Sequence, residues 1–181
     1  MDSTTPRAAS PDKSVAAVCG LFCPACTFFI GSTEDPKRLQ SLAERFGRSV
    51  DELTCHGCRS DTRSFYCRDY CKMDKCAARK GIDFCGQCPE YPCADLKIFQ
   101  AQMPHRIELW DSHQRIKEAG WETWYAEMIE HYSCPQCHAV NSAYDLACRA
   151  CGAEPGSAYV KQHKDEIVKV MARMGPPRQN P

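Results

Sequence analysis

Ten of the fifteen cysteines in this 181-residue chain fall into five Cys-x2-Cys pairs: Cys23/Cys26, Cys55/Cys58, Cys85/Cys88, Cys134/Cys137 and Cys148/Cys151. A two-residue gap lets a tight turn bring two sulfurs to about 3.7 Å, the edge of a tetrahedron with ~2.3 Å metal–sulfur bonds, and turns backbone N–H groups toward the thiolates. Each pair is half a tetrahedral site. Cys19, Cys67, Cys71, Cys76 and Cys93 lie among the first three pairs, so all fifteen are candidate metal ligands.

The same residues in a short secreted chain would form a disulfide framework, which normally uses an even number of cysteines. Here the number is odd. Met1–Lys13 is polar, and Pro24 interrupts the apolar run Val15–Ile30, which is too short to cross a bilayer. These features point to a soluble protein of a reducing compartment, the cytoplasm, with no membrane partner.

Cys and Ala inflate the 43% hydrophobic content, leaving few large apolar side chains to build more than one core. Metal must supply the deficit, because a structural zinc site contributes about 10–16 kcal/mol of binding free energy that becomes folding free energy. Formal charge is zero, from 23 Lys and Arg against 23 Asp and Glu, which argues against a globally basic nucleic-acid binder. A zinc ion held by four thiolates carries a charge of about −2. The basic stretch Arg59–Lys80, with Phe65, Tyr66 and Tyr70 interleaved, is therefore read first as screening for such centres and second as a nucleic-acid patch.

These ligands must be positioned by short elements. Residues 1–14 read as a disordered tail and residues 15–96 as a cysteine-rich metal-binding domain. Within that domain one helix is clear: Asp35 as cap, Pro36 in the first turn, Leu39, Leu42, Ala43 and Phe46 on one face, and Gly47 at the end. Ser49-x-x-Glu52 is a capping box for a short turn that delivers Cys55. Residues 97–132 read as a helical connector. Pro104 opens a helix that Gly120 closes, and Trp121, Trp124, Tyr125, Met128, Ile129 and Tyr132 form an apolar stripe expected to be core. Residues 133–153 read as a zinc ribbon, two Cys-x2-Cys knuckles joined by ten residues, with no open coordination position; rubredoxin-like iron would use the same geometry. Residues 158–174 form a last amphipathic helix, ended by Gly175-Pro176-Pro177. The expected class is a small metal-stabilised α+β protein: an irregular multi-metal domain with short helices, a helical connector and a C-terminal zinc ribbon.

The segments Cys19-Gly20-Leu21-Phe22-Cys23-Pro24-Ala25-Cys26, Cys55-His56-Gly57-Cys58-Arg59-Ser60, Cys67…Cys71-Lys72-Met73-Asp74-Lys75-Cys76-Ala77 and Cys85-Gly86-Gln87-Cys88-Pro89-Glu90-Tyr91-Pro92-Cys93 together resemble the cysteine-rich prokaryotic domain of unknown function numbered 3795. The resemblance runs from about Val15 to Phe99, and the Gly120-Trp121…Trp124 helix leading into a ribbon resembles a tail seen in that family. It implies metal binding and carries no activity or substrate.

Setting aside the ribbon leaves eleven cysteines, two four-cysteine sites and three over. The trio singled out is Cys19, Cys23 and Cys26, whose Cys-x3-Cys-x2-Cys spacing matches the ligands of a cluster in radical S-adenosylmethionine enzymes. The chain shows none of the strand–helix alternation that such enzymes need. His56 sits inside a knuckle, and His105, His113, His131 and His138 are expected on the solvated surface. The functional expectation is a zinc-stabilised binding or adaptor module holding about three zinc ions, one in the ribbon, with a protein or nucleic-acid partner and no identifiable small-molecule substrate. An iron–sulfur protein or cluster-dependent enzyme using Cys19, Cys23 and Cys26 is the alternative. The sequence leaves enzymatic activity undecided; the lack of H-E-x-x-H, Gly-rich phosphate loop or paired catalytic carboxylates weighs against it.

Overall fold

The structure, a computed structural model, describes residues 10–174. Most of the tail expected at 1–14, and the Gly175-Pro176-Pro177 stop, lie outside the described residues. The part of the tail that is described is tied down: Asp12 caps a 3-10 turn at Lys13–Val15 by accepting from Ser14 N–H at 2.8 Å, and the Ser14 carbonyl accepts from Arg59 N–H at 3.1 Å.

Eight α-helices dominate the described residues, and their regular partners are few. α1 is Thr27–Thr33, α2 Pro36–Phe46, α3 Val50–Leu53 and α4 Lys72–Lys80; α5 is Ala94–Ala101, α6 Leu109–Ala119, α7 Trp121–Tyr132 and α8 Ala158–Met174. β-structure among these residues is limited to two isolated bridges, Ala16 with Phe22 and Ser133 with Val140. The molecule is thus mostly helical. The β half of the α+β expectation is limited to these two bridges, and α1, α4 and α5 follow directly on cysteines.

Local chemistry explains most boundaries. Asp35 accepts from Arg38 N–H at 3.1 Å to start α2, and Gly47, at φ 61°, ends it in the left-handed region. Ser49 and Glu52 form the reciprocal capping box of α3. α1, α4 and α5 each begin immediately after a cysteine, Cys26, Cys71 and Cys93, whose extended backbone stands where Ser or Asp usually would. α1 and α4 were not expected from periodicity, since both are short and α4 is rich in charge. α6 and α7 meet at Gly120 and are bridged by Arg115 and Glu127 at 2.7 Å.

Burial joins the two ends of the chain. Phe22, one residue before Cys23, packs on Trp124, Tyr125 and Tyr132 of α7 with ring centroids 5.3–6.0 Å apart. Tyr132 stacks on Tyr159 of α8 at 4.9 Å. Trp124, Tyr159 and Ile167 are fully enclosed, so the aromatic stripe of α7 is core. A second cluster combines Cys19, Cys58 and Cys71 with Val18, Met73, Leu96, Phe99 and Leu109. A third, smaller one holds Leu39, Ala43 and Leu53.

Candidate metal centres

The C-terminal cysteines are carried by two turns with one hydrogen-bond pattern. In the first, Gln136 N–H points at Cys134 Sγ (3.4 Å), His138 N–H donates to the Cys134 carbonyl (3.0 Å), and Cys134 N–H donates to Ala139 (2.9 Å). In the second, Ala150, Gly152 and Cys148 make the equivalent bonds at 3.4, 2.9 and 2.8 Å. His138 and Gly152, each just after its pair, have left-handed φ values of 61° and 76°. Glycine adopts this freely, whereas a side chain there costs about 1–2 kcal/mol. That strain suits a turn selected for the direction of its sulfurs.

The turns bring Cys134 within 3.6 Å of Cys151, and Cys137 within 3.6 Å of Cys148, sulfur to sulfur. All four sulfurs lie within 4.8 Å of one another, Cys134 and Cys148 buried and Cys137 and Cys151 exposed. This group can hold a metal ion. Burial raises the Cys148 thiol, but the N–H groups of Cys151 and Ala150, with the Asn141 amide, outweigh it and lower its pKa; a sulfur surrounded by donors favours the thiolate that a metal needs.

Asn141 was not anticipated and is the best-connected side chain of this region. Wholly buried, it donates to the carbonyls of Ala139 and Gly156 at 2.9 Å and toward Cys148 Sγ at 3.6 Å, and accepts from Arg149 N–H at 2.9 Å. No periodic signal marks an Asn between two knuckles. Arg38 of α2 grips Asp145 through two bonds of 3.0 and 3.1 Å, so the loop between the knuckles is fastened to the N-terminal region.

The eleven other cysteines are arranged differently. Cys23–Ala25 and Cys85–Gln87 are 3-10 turns, closed by Cys26 N–H to the Cys23 carbonyl at 2.8 Å and Cys88 N–H to the Cys85 carbonyl at 3.0 Å. Burial, then the charges of Cys58 and Cys71, push the Cys19 thiol well up; burial, then Cys58, Cys26 and Cys55, act on Cys23 in the same way. Burial followed by Cys55 raises Cys26 to about 11. Burial followed by Cys26, Cys55 and, more weakly, Cys58 raises Cys67. Cys58 acts on both Cys19 and Cys23, and Cys55 on both Cys23 and Cys26, so these thiols form one continuous network of neighbours. Burial and the charges of Cys93, Cys76, Cys71 and Cys88 raise Cys85 to about 12.

Of the histidines expected at the surface, His138 is exposed, His105 and His131 are half-buried and His113 is buried. His113 is 3% exposed and wedged between two cysteine turns: a Cβ on Gly20 or on Gly86 would come within 3.0 Å of its ring nitrogens. Burial pulls its pKa down to about 4, offset in part by the nearby Cys19 backbone. His105 bonds Tyr144 through Nδ1 at 2.6 Å, and burial followed by the neighbouring Arg106 charge lowers it to about 3. His131 of α7 and His163, at a kink in α8, meet Glu108 at 2.9 and 2.7 Å. Packing of α6, α7 and α8 around Glu108 encloses these side chains; a count of isolated histidines has no access to that. Most cations of the Arg59–Lys80 stretch are neutralised by carboxylates rather than by sulfur, as Arg63 is with Asp74 and Lys72 with Asp95. Lys80 reaches a thiol, with Nζ 3.2 Å from Cys88 Sγ.

Residues 15–98 match a family described as protein of unknown function (DUF3795). That span holds all eleven of these cysteines and ends before the C-terminal four. Neither the curated proteins nor the solved structures contain a match. The matched span, called the DUF3795 region below, is cysteine-rich, and the four-cysteine group at 134–151, which could hold a metal ion, lies outside it. No helix of the described residues is long and apolar enough to cross a membrane.

Proposed function

We propose that this chain is a metal-stabilised binding module of a reducing compartment, in which Cys134, Cys137, Cys148 and Cys151 form a zinc ribbon holding one structural zinc ion. The observation that carries the reading is the pair of 3.6 Å sulfur contacts, close to the ~3.7 Å edge of a tetrahedral zinc–thiolate site. Four protein ligands leave no position for water or substrate, so the ion organises the chain rather than reacting. The free state of all fifteen cysteines fits a reducing environment. A protein partner is favoured over nucleic acid, because the cations of the Arg59–Lys80 stretch are largely paired within the molecule and would have to be released to meet phosphate.

Metal analysis of the full chain against Cys134→Ser tests the ribbon. The expected result is loss of about one zinc equivalent with the metal of the DUF3795 region retained. Unchanged zinc, or iron with a rubredoxin-like absorption at this site, overturns it.

A further inference from the structure

Cys76, Cys85, Cys88 and Cys93 are drawn to one place by independent elements. Cys76 and Lys80 stand four residues apart on α4 and share a face. Lys80 Nζ lies 3.2 Å from Cys88 Sγ and 3.0 Å from Glu90, so the face of α4 that carries Cys76 is turned to the Cys85–Cys88 turn. Lys72, at the start of α4, pairs with Asp95 at 2.9 Å, which brings in the start of α5 and the cysteine preceding it, Cys93. Two ion pairs on one helix therefore clamp both remaining cysteine segments. The charges that act on Cys85 come from these same neighbours together with Cys71; Cys71 is buried in the apolar cluster against which Cys85 and Cys93 also pack, but it precedes α4, whereas Cys76 stands on the face of the helix that carries Lys80.

Among the described residues, the C-terminal four are the group whose ligand atoms all approach within 4.8 Å; no three of the eleven N-terminal sulfurs do so. A single zinc ion needs its thiolates about 3.7 Å apart. A cubane of four irons and four sulfides instead directs one thiolate outward from each iron corner, which separates the cysteine sulfurs by roughly 6 Å. A lysine donating to a ligand sulfur is a known way to set cluster potential, since hydrogen bonds and net charge at the sulfurs tune it.

We propose that Cys76, Cys85, Cys88 and Cys93 ligate a 4Fe–4S cluster, with Lys80 as the positioning and charge-compensating donor to Cys88. The DUF3795 region would then be a redox or cluster-sensing unit beside a zinc-bearing ribbon. The inference rests on metal binding at thiolates and does not need the ribbon zinc, which serves as an internal control.

The test is anaerobic purification of the full chain, Cys76→Ser and Lys80→Met, with iron, sulfide and zinc analysis and redox titration followed by visible absorption. Wild type should be brown, and Cys76→Ser should lose about four iron and about four sulfide per chain while keeping the ribbon zinc. Lys80→Met should keep its cluster at a midpoint potential below wild type, because removing a cation disfavours the more negative reduced form. Three results overturn the proposal: a colourless wild type whose Cys76→Ser variant loses one zinc; iron and sulfide unchanged in Cys76→Ser; or a wild-type potential in Lys80→Met. Ribbon zinc lost in Cys134→Ser alone would leave the reading of the previous section standing in each of those cases.

Discussion

The DUF3795 region and the C-terminal four-cysteine group use the same two-residue spacing and arrive at different geometry. Behind each C-terminal pair the chain turns back through a left-handed residue, His138 or Gly152, and the sulfurs close to 3.6 Å. After Cys26 the chain enters α1 directly, and no three sulfurs of the DUF3795 region lie within 4.8 Å of one another. The C-terminal turns direct N–H groups at Cys134 and Cys148, while Cys19, Cys23 and Cys67 of the N-terminal region are raised chiefly by burial and by neighbouring thiols.

Metal removal should separate the two regions most sharply. Chelation under reducing conditions should abolish the cooperative transition of residues 15–96, because thiols with raised pKa values reprotonate and their mutual packing is lost; the effect is on the order of 10 kcal/mol per site. Far-ultraviolet circular dichroism should show α6, α7 and α8 retaining helicity. A melting curve unchanged after verified metal removal would mean that apolar packing carries both regions and that the contrast drawn here is false.

A smaller effect is expected at the shared core. Trp124 is wholly buried and its ring lies 6.0 Å from Phe22, beside Cys23. Trp124→Ala should cost about 3–5 kcal/mol by denaturant titration, with metal content at both regions unchanged. Loss of metal from the DUF3795 region alone would show that its turns depend on the C-terminal helices.

Acid should act first where neither region has metal. Burial raises Glu108, but its bonds to His131 and His163 outweigh this and hold its pKa low, so its contribution is present above the ordinary carboxylate value and lost as pH falls through the folded one. His105, lowered to about 3, acts in the same direction: its contribution is full above about 6.5 and disappears between there and about 3. Glu108→Gln should cost about 1.5–3 kcal/mol at neutral pH and flatten the acid limb of a stability–pH profile read by tryptophan fluorescence. A wild-type profile in that variant would remove Glu108 from the account.

Much of the local structure was legible. α2, α3, α7 and α8 follow from caps, glycine stops and a 3.6-residue apolar period, because these signals act within one turn of chain. The C-terminal group was legible as well, since ten residues between two pairs leave little freedom. Less visible were α1 and α4, where cysteines occupy the positions of ordinary caps, and Asn141, whose partners Ala139, Cys148, Arg149 and Gly156 are gathered by the loop rather than by a pattern.

By itself, the sequence determined that this is a thiol-rich, metal-competent chain with short helices, because ligand chemistry and turn geometry are properties of residues a few positions apart. Only the tertiary structure decided that Cys19, Cys58 and Cys71 are buried in one apolar cluster, against which Cys23, Cys85 and Cys93 pack. It likewise placed Lys80 against Cys88, buried His113 and left His105 and His131 half-buried. Those outcomes depend on how α4 lies against the Cys85–Cys88 turn and how α6, α7 and α8 close around Glu108. They are long-range packing choices, set by the summed burial of side chains such as Phe22, Trp124 and Tyr159 across the whole chain.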